Sequence, residues 1–120
     1  MDDPSNRINI INLVIMTAKQ FILGLPAKVN PVALEGHQSI FHFKISGEEG
    51  GDFTVEVKDG DLKVHEALQG DPACVVKVKD QNLISIVTGK LNPMMAMMTG
   101  KIKVSNTSEM IKFAKIFGFM

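Results

Sequence analysis

The sequence predicts an α+β domain: a five-stranded, mainly antiparallel sheet with helices covering one face. Three observations support this. Apolar residues recur at helical spacing near both ends of the chain. Between these ends, several short segments alternate apolar and polar residues with a period of two, separated by turn-forming residues. Two short apolar segments that each stop at a glycine, Gly89 and Gly100, interrupt the strands and indicate further helices.

The first predicted element is an apolar helix at about 8–25, which Gly24 and Pro26 end. Its repeating apolar positions are Ile8, Ile11, Ile15, Ala18, Ile22 and Leu25. The two-proline segment that follows predicts a loop with a short helix at 31–35.

Four strands then follow one another, and their short turns predict an antiparallel meander with one apolar and one polar face. The alternation places His42 and His65 on the polar, solvated face, and His37 falls in the preceding loop. The residues predicted to face inwards are Phe41, Phe43, Ile45, Phe53, Val55, Val57, Leu62, Val64, Cys74, Val76 and Val78.

Two short helices are predicted next. Asp80 is expected to cap the first, which Gly89 ends. Asn92 and Pro93 are a favourable cap and first-turn pair for the second, which Gly100 ends.

A fifth strand and a final helix complete the prediction. Ile102 and Val104 face inwards on the strand. Asn106 and Glu109 form a pair resembling a capping box at the start of the helix, which runs to about Phe117.

Composition excludes several functional classes. The 120 residues suit one domain, 1–120, and basic and acidic residues both number 13, so the chain lacks the basic excess that nucleic acids attract. A single cysteine, Cys74, excludes a disulfide framework and a tetrahedral cysteine metal site, and we predict that it is a small core residue. No apolar run in the N-terminal region is long enough to span a membrane, and the C-terminal "IFGFM" matches no common address signal. We therefore expect a cytoplasmic protein.

No residue pattern in the chain predicts catalysis. The three histidines lack partners at metal-ligand spacing, and neither phosphate-binding glycine motif is present. The carboxylates of the "EEGGD" segment lie in a predicted hairpin turn, where turn chemistry explains them. We expect no catalytic residue, no metal site, no cofactor and no enzymatic activity.

The apolar excess is concentrated in "TGKLNPMMAMMTGKIKV", which holds four of the eight methionines. One explanation of the wide apolar helix faces is that they pack in the core. The alternative is that some of them line a cavity, since methionine is unbranched and polarizable and adapts to ligands of differing shape.

The run "LISIVTGKLNPMMAMMTGKIKVSN" resembles the signature of the sterol carrier protein 2 family, "LxxLxTGKLxPxxAFxxGKLKVxGD". The matching positions are Leu83, 88–91, Pro93, Ala96, Gly100, Lys101 and 102–104. Further upstream, "LPAKVNPVALEGHQSIFHFKISG" resembles the short, stand-alone prokaryotic members, and the whole resemblance covers about 25–120. This chain departs from the family at Asn106-Thr107, where "GD" is frequent, and at Met97 and Met98, where phenylalanine is common.

The resemblance implies an apolar tunnel between sheet and helices that takes sterol, fatty acid, acyl-CoA or phospholipid, and it implies a carrier rather than a catalyst. The final helix is a candidate lid. The candidate lipid-binding residues are Phe41, Phe43, Ile84, Val87, Leu91, Met94, Met97, Met98, Met110, Phe113 and Phe117.

An alternative function is a protein-interaction or dimerisation module. Here the apolar N-terminal helix docks on a partner or on a second copy of the chain, and the methionines form an adaptable contact surface. Transient contact with a membrane during lipid exchange is a related expectation, although Arg7 and Lys19 are the only cations of that helix.

Overall fold

The computed structural model describes residues 17–118, and the predicted five-stranded α+β fold is confirmed. The strands are β1 (Ser39–Ser46), β2 (Gly51–Lys58), β3 (Asp61–His65), β4 (Cys74–Lys79) and β5 (Ile102–Val104). The helices are α1 (Ala18–Leu23), α2 (Leu25–Lys28), α3 (Pro31–Leu34), α4 (Asp80–Val87), α5 (Pro93–Met98) and α6 (Thr107–Ile116). The strand order in the sheet is β3-β2-β1-β4-β5.

The predicted four-strand meander is wrong at β4. The first three strands form antiparallel hairpins, but β4 pairs with β1, and in parallel. Parallel neighbours usually need a crossover of about a dozen residues. Here residues 66–73 suffice, because β3 ends at the height in the sheet at which β4 starts. His65 at the end of β3 is in register with Thr54 and, through it, with His42, and Cys74 at the start of β4 pairs with the adjacent Phe41.

This crossover packs on the outer face of the sheet and corrects the prediction for His42. His42 is only 8% exposed, and its Nε2 lies 2.7 Å from the carbonyl oxygen of Gln69. The neighbouring Thr54 hydroxyl donates to Ala67 O at 2.6 Å and accepts from Gln69 N at 2.8 Å. The crossover therefore buries part of the predicted polar face. Its backbone groups form hydrogen bonds with the polar side chains that it covers.

The N-terminal helix prediction falls partly outside the described residues, which exclude 8–16. Within them, α1 begins with a capping box in which Thr17 and Gln20 each accept from the other's backbone N–H at 3.0 Å. Gly24 ends α1 as predicted. Pro26 was expected to end the helix but lies in the first turn of α2, where its missing N–H has no helical partner to lose.

Asp80 has a different role from the predicted cap. It is the first residue of α4, and the capping position is Lys79. The buried carboxylate accepts from Gln81 N at 2.7 Å and from Glu49 N at 3.1 Å. It therefore ties the β1–β2 turn to the start of α4.

The caps of the later helices agree with the sequence. Asn92 Oδ1 accepts from Met94 N at 2.8 Å, and Asn106 Oδ1 accepts from Glu109 N at 3.2 Å. The predicted capping box is only half formed, because the Glu109 carboxylate lies 2.9 Å from Lys112 Nζ in an ion pair. The short helix predicted at 31–35 is α3.

Candidate functional site

An apolar cavity of about 90 Å³ lies between the inner face of the sheet and the helices. The cavity is partly open to solvent. Three strands and all the helices except α3 contribute to the wall, and every lining residue is apolar. These residues are Phe21, Ile22, Leu25, Phe41, Phe43, Val55, Val57, Leu83, Ile86, Val87, Pro93, Met97, Ile102, Met110, Phe113, Ala114 and Phe117.

Phe113 on α6 is the centre of an aromatic cluster in this wall. Its ring meets that of Phe41 edge to face, with centroids 5.1 Å apart, and that of Phe117 at 6.1 Å. Phe41 stacks on Phe43 at 6.1 Å, and His37 approaches Phe113 from the side at 6.1 Å. His37 was predicted to be solvated, but this ring contact leaves it half-buried.

Two lysines lie over aromatic rings of the cavity wall. Lys28 Nζ is 4.8 Å from the ring centroid of Phe21, and Lys112 Nζ is 5.2 Å from that of Phe113. Both ammonium groups are within cation–π range, so positive charge borders an otherwise uncharged wall.

The cavity wall contains no group capable of proton transfer or nucleophilic attack among residues 17–118. Cys74 lies on the inner face of β4, as predicted, and is fully buried outside the lining set. Burial raises the pKa of its thiol, which therefore stays protonated at neutral pH, and Sγ lies 3.5 Å from the carbonyl oxygen of Asn106. No cluster of metal-binding side chains occurs in the described part of the chain.

The cavity brings together seven of the eleven candidate lipid-binding residues: Phe41, Phe43, Val87, Met97, Met110, Phe113 and Phe117. The structure places the other four, Ile84, Leu91, Met94 and Met98, outside the wall. Two of the four, Met94 and Met98, lie outside the wall because they are on the solvent side of helix α5, where they are 40% and 79% exposed. A ligand contact for any of the eleven stays a prediction.

Ten lining residues were not predicted: Phe21, Ile22, Leu25, Val55, Val57, Leu83, Ile86, Pro93, Ile102 and Ala114. Most of them lie on apolar faces that periodicity had identified, such as Val55 and Val57 on β2. For α4, the spacing of Leu83, Ile86 and Val87 marks one helical face and could have been used to choose them over Ile84.

These features define a small α+β domain built around an apolar cavity. The chain belongs to the SCP-2 sterol transfer family, whose model matches residues 19–118. Membership supports lipid binding and transfer as the general function, and the SCP-2 domain is in general non-catalytic.

Relatives and structural neighbours agree with this assignment. The chain is 36% identical over 94 residues to hydroxysteroid dehydrogenase-like protein 2 of Xenopus tropicalis, covering 77% of this chain and 22% of that protein. The chain thus spans about a fifth of that relative's length, so the match concerns one part of a larger protein.

Two solved structures share the fold. Palmitated SCP2L2 from Aedes aegypti matches with a TM-score of 0.68 and 21% identity, covering 86% of this chain and 96% of that one. The sec-alkylsulfatase Pisa1 from Pseudomonas sp. matches with a TM-score of 0.71 and 20% identity, covering 88% of this chain but 16% of the enzyme. In the part of the chain that the structure describes, no helix is long and apolar enough to cross a membrane.

Proposed function

We propose that this protein binds one lipid molecule in its apolar cavity and carries it between membranes without chemical change. The observation that carries the proposal is the wall itself, whose seventeen residues are all apolar. Removing an acyl chain from water into such a wall gains about 0.8 kcal/mol per buried methylene. Sterol, fatty acid, acyl-CoA and phospholipid all present the apolar surface that such a wall accepts.

The cavity must widen to admit a lipid, because its volume of about 90 Å³ is below the 300–1,000 Å³ typical of ligand pockets. The final helix, α6, is the element best suited to move. Met110, Phe113 and Ala114 supply its part of the wall, and Phe117 adds to it at the C-cap. Within residues 17–118, its polar links to other elements are confined to the cap residue Asn106, which bonds Ala73 O and the Cys74 thiol.

Movement of α6 about this cap would open the cavity while breaking mainly apolar contacts. Among residues 17–118, no ion pair or side-chain hydrogen bond joins the body of α6 to another element, since Lys112 pairs with Glu109 on the same helix. A palmitoyl chain, with about fourteen methylenes, has a gross gain of roughly 11 kcal/mol. Association costs about 4–15 kcal/mol, so the cost of opening α6 decides the affinity.

The proposal includes a single domain, 1–120, that acts in the cytoplasm. The buried, protonated Cys74 thiol suits a reducing compartment but does not require one. Sterols are one ligand class to test, because the family is named for sterol transfer and a relative is named hydroxysteroid dehydrogenase-like. Fatty acids are another, because a structural neighbour is palmitated.

Native mass spectrometry and displacement of a fluorescent fatty acid test the proposal, with palmitate, cholesterol and phosphatidylcholine offered separately. Met97→Gln, which places an amide in the wall, is expected to weaken binding by about 5–100-fold. Met95→Gln is the matched control, because Met95 lies on the same helix but is 52% exposed. Absence of both retained lipid and displacement in the unmodified protein would refute a carrier function.

A further inference from the structure

Helix α5 separates the cavity from solvent with two distinct faces. At 100° per residue, Pro93, Ala96 and Met97 share one side, and Met94, Met95 and Met98 share the other. The first side lies inwards, since Pro93 and Met97 line the cavity and Ala96 is fully buried. The three methionines of the second side are 40%, 52% and 79% exposed. We call this second side the methionine face.

Positive charge flanks the methionine face. Lys90 precedes α5 and Lys101 follows it, and both are exposed. Neither forms an ion pair with any residue between 17 and 118. From Gln81 to Ser108 the chain has three lysines and no aspartate or glutamate, although the whole chain has a formal charge of zero. The charge around the methionine face is therefore a local feature and complements an anionic surface.

We propose that the methionine face is where this protein docks on anionic lipid bilayers. Met94, Met95 and Met98 enter the boundary between headgroups and acyl chains, and Lys90 and Lys101 contact anionic headgroups. Docking would place one helix between the bilayer and the cavity, with Met97 and Pro93 on its far side. Docking at this face would serve the proposed lipid transfer, and its role in the cell rests on that proposed function.

A membrane suits this face better than a protein partner does. Three methionine side chains supply roughly 200–350 Å² of apolar surface at most. A specific protein interface needs about 800 Å² from each partner, whereas insertion into a bilayer boundary requires no matching surface. Thioether side chains are flexible, so they also accommodate the changing shape of a fluid lipid surface.

The experiment is sedimentation of the full chain, without added ligand, with phosphatidylcholine vesicles that contain or lack phosphatidylserine. The triple variant Met94→Gln, Met95→Gln, Met98→Gln is expected to lose at least about tenfold in partitioning. Lys90→Gln with Lys101→Gln is expected to lose about fivefold per lysine, on anionic vesicles alone.

Matched controls change equally exposed residues elsewhere. Val32→Gln alters a side chain on α3 that is 68% exposed, and Lys58→Gln with Lys63→Gln removes two exposed charges from β2 and β3. Neither control should change partitioning. Wild-type binding by the methionine and lysine variants would overturn the proposal.

Two parallel measurements separate this inference from the proposed function and from self-association. Palmitate displacement without vesicles should be unchanged in Met95→Gln, because Met95 is exposed and is not a candidate lipid-binding residue. A wild-type protein that docks but binds no lipid would contradict the carrier function alone. Light scattering reports oligomeric state. A dimer that the methionine variant abolishes, with no vesicle binding by the wild type, would overturn membrane docking in favour of a second copy of the chain.

Discussion

Filling the cavity should stabilise the protein and at the same time prevent ligand binding. An unfilled cavity destabilises a fold by about 24 cal/mol per Å³, so a volume of about 90 Å³ corresponds to roughly 2 kcal/mol. Ala114 lies on α6, lines the cavity and is 8% exposed. Ala114→Leu adds three carbon atoms, worth about 0.8 kcal/mol each when buried, and leucine is nearly as good a helix former as alanine. Both estimates predict a gain of about 2 kcal/mol in the free energy of unfolding.

Urea denaturation and thermal melting measure this gain, which corresponds to roughly 5–10 °C in the melting temperature. Ala27→Leu is the control, because Ala27 is an exposed alanine on α2, and its effect should stay within about 0.5 kcal/mol. A loss of 1–3 kcal/mol in Ala114→Leu would indicate overpacking and refute the inference that usable space lies beside Ala114. A stabilised variant that still binds palmitate with wild-type affinity would show that the ligand lies elsewhere.

Two further predictions concern stability. Gly47→Ala should lose at least about 2–3 kcal/mol on urea denaturation, because Gly47 has φ +104° and a Cβ there would overlap the Asp80 carboxylate that accepts from Glu49 N. Gly36→Ala, with φ +79° and open space around the Cβ, isolates the backbone part of this cost at about 1–2 kcal/mol, and equal losses in the two variants would contradict the Asp80 contact. Burial raises the pKa of the Cys74 thiol above its ordinary 9.0, so the folded state holds the thiol proton more tightly than the unfolded state does. The contribution of this proton to the free energy of unfolding is therefore complete below pH 9 and is lost as the pH rises above 9. Urea denaturation of wild type and Cys74→Ala across that range measures the effect, and parallel pH profiles would show that the thiol does not contribute.

Local signals in the sequence predicted most elements of this fold. The caps at Asn92 and Asn106 and the stops at Gly89 and Gly100 depend on residues within one helical turn, so they can be recognised without knowledge of the neighbours. The alternation in β1 and β2 likewise depends only on the pleat of each strand.

Long-range features could not be predicted in this way. The parallel pairing of β4 with β1 depends on a chain crossing, and nothing in either strand's alternation encodes which neighbour it will have. His42 occupies a polar position of β1, and its burial results from the crossover that packs over it. The cavity wall was predicted in part for the same reason, since periodicity identifies which side chains face inwards but not which inward faces meet. Leu83 and Phe21 both line the cavity although they are far apart in sequence.

The shortness of the two outermost strands has a consequence for association between chains. An exposed sheet edge offers unpaired backbone groups on which another chain can add a strand. Here β5 is three residues long and carries Lys103, and β3 is five residues long and carries Lys63. Strands of this length offer few backbone groups to a second chain, and each lysine would lose hydration in a shared sheet. The described sheet therefore offers little template for aggregation at either edge.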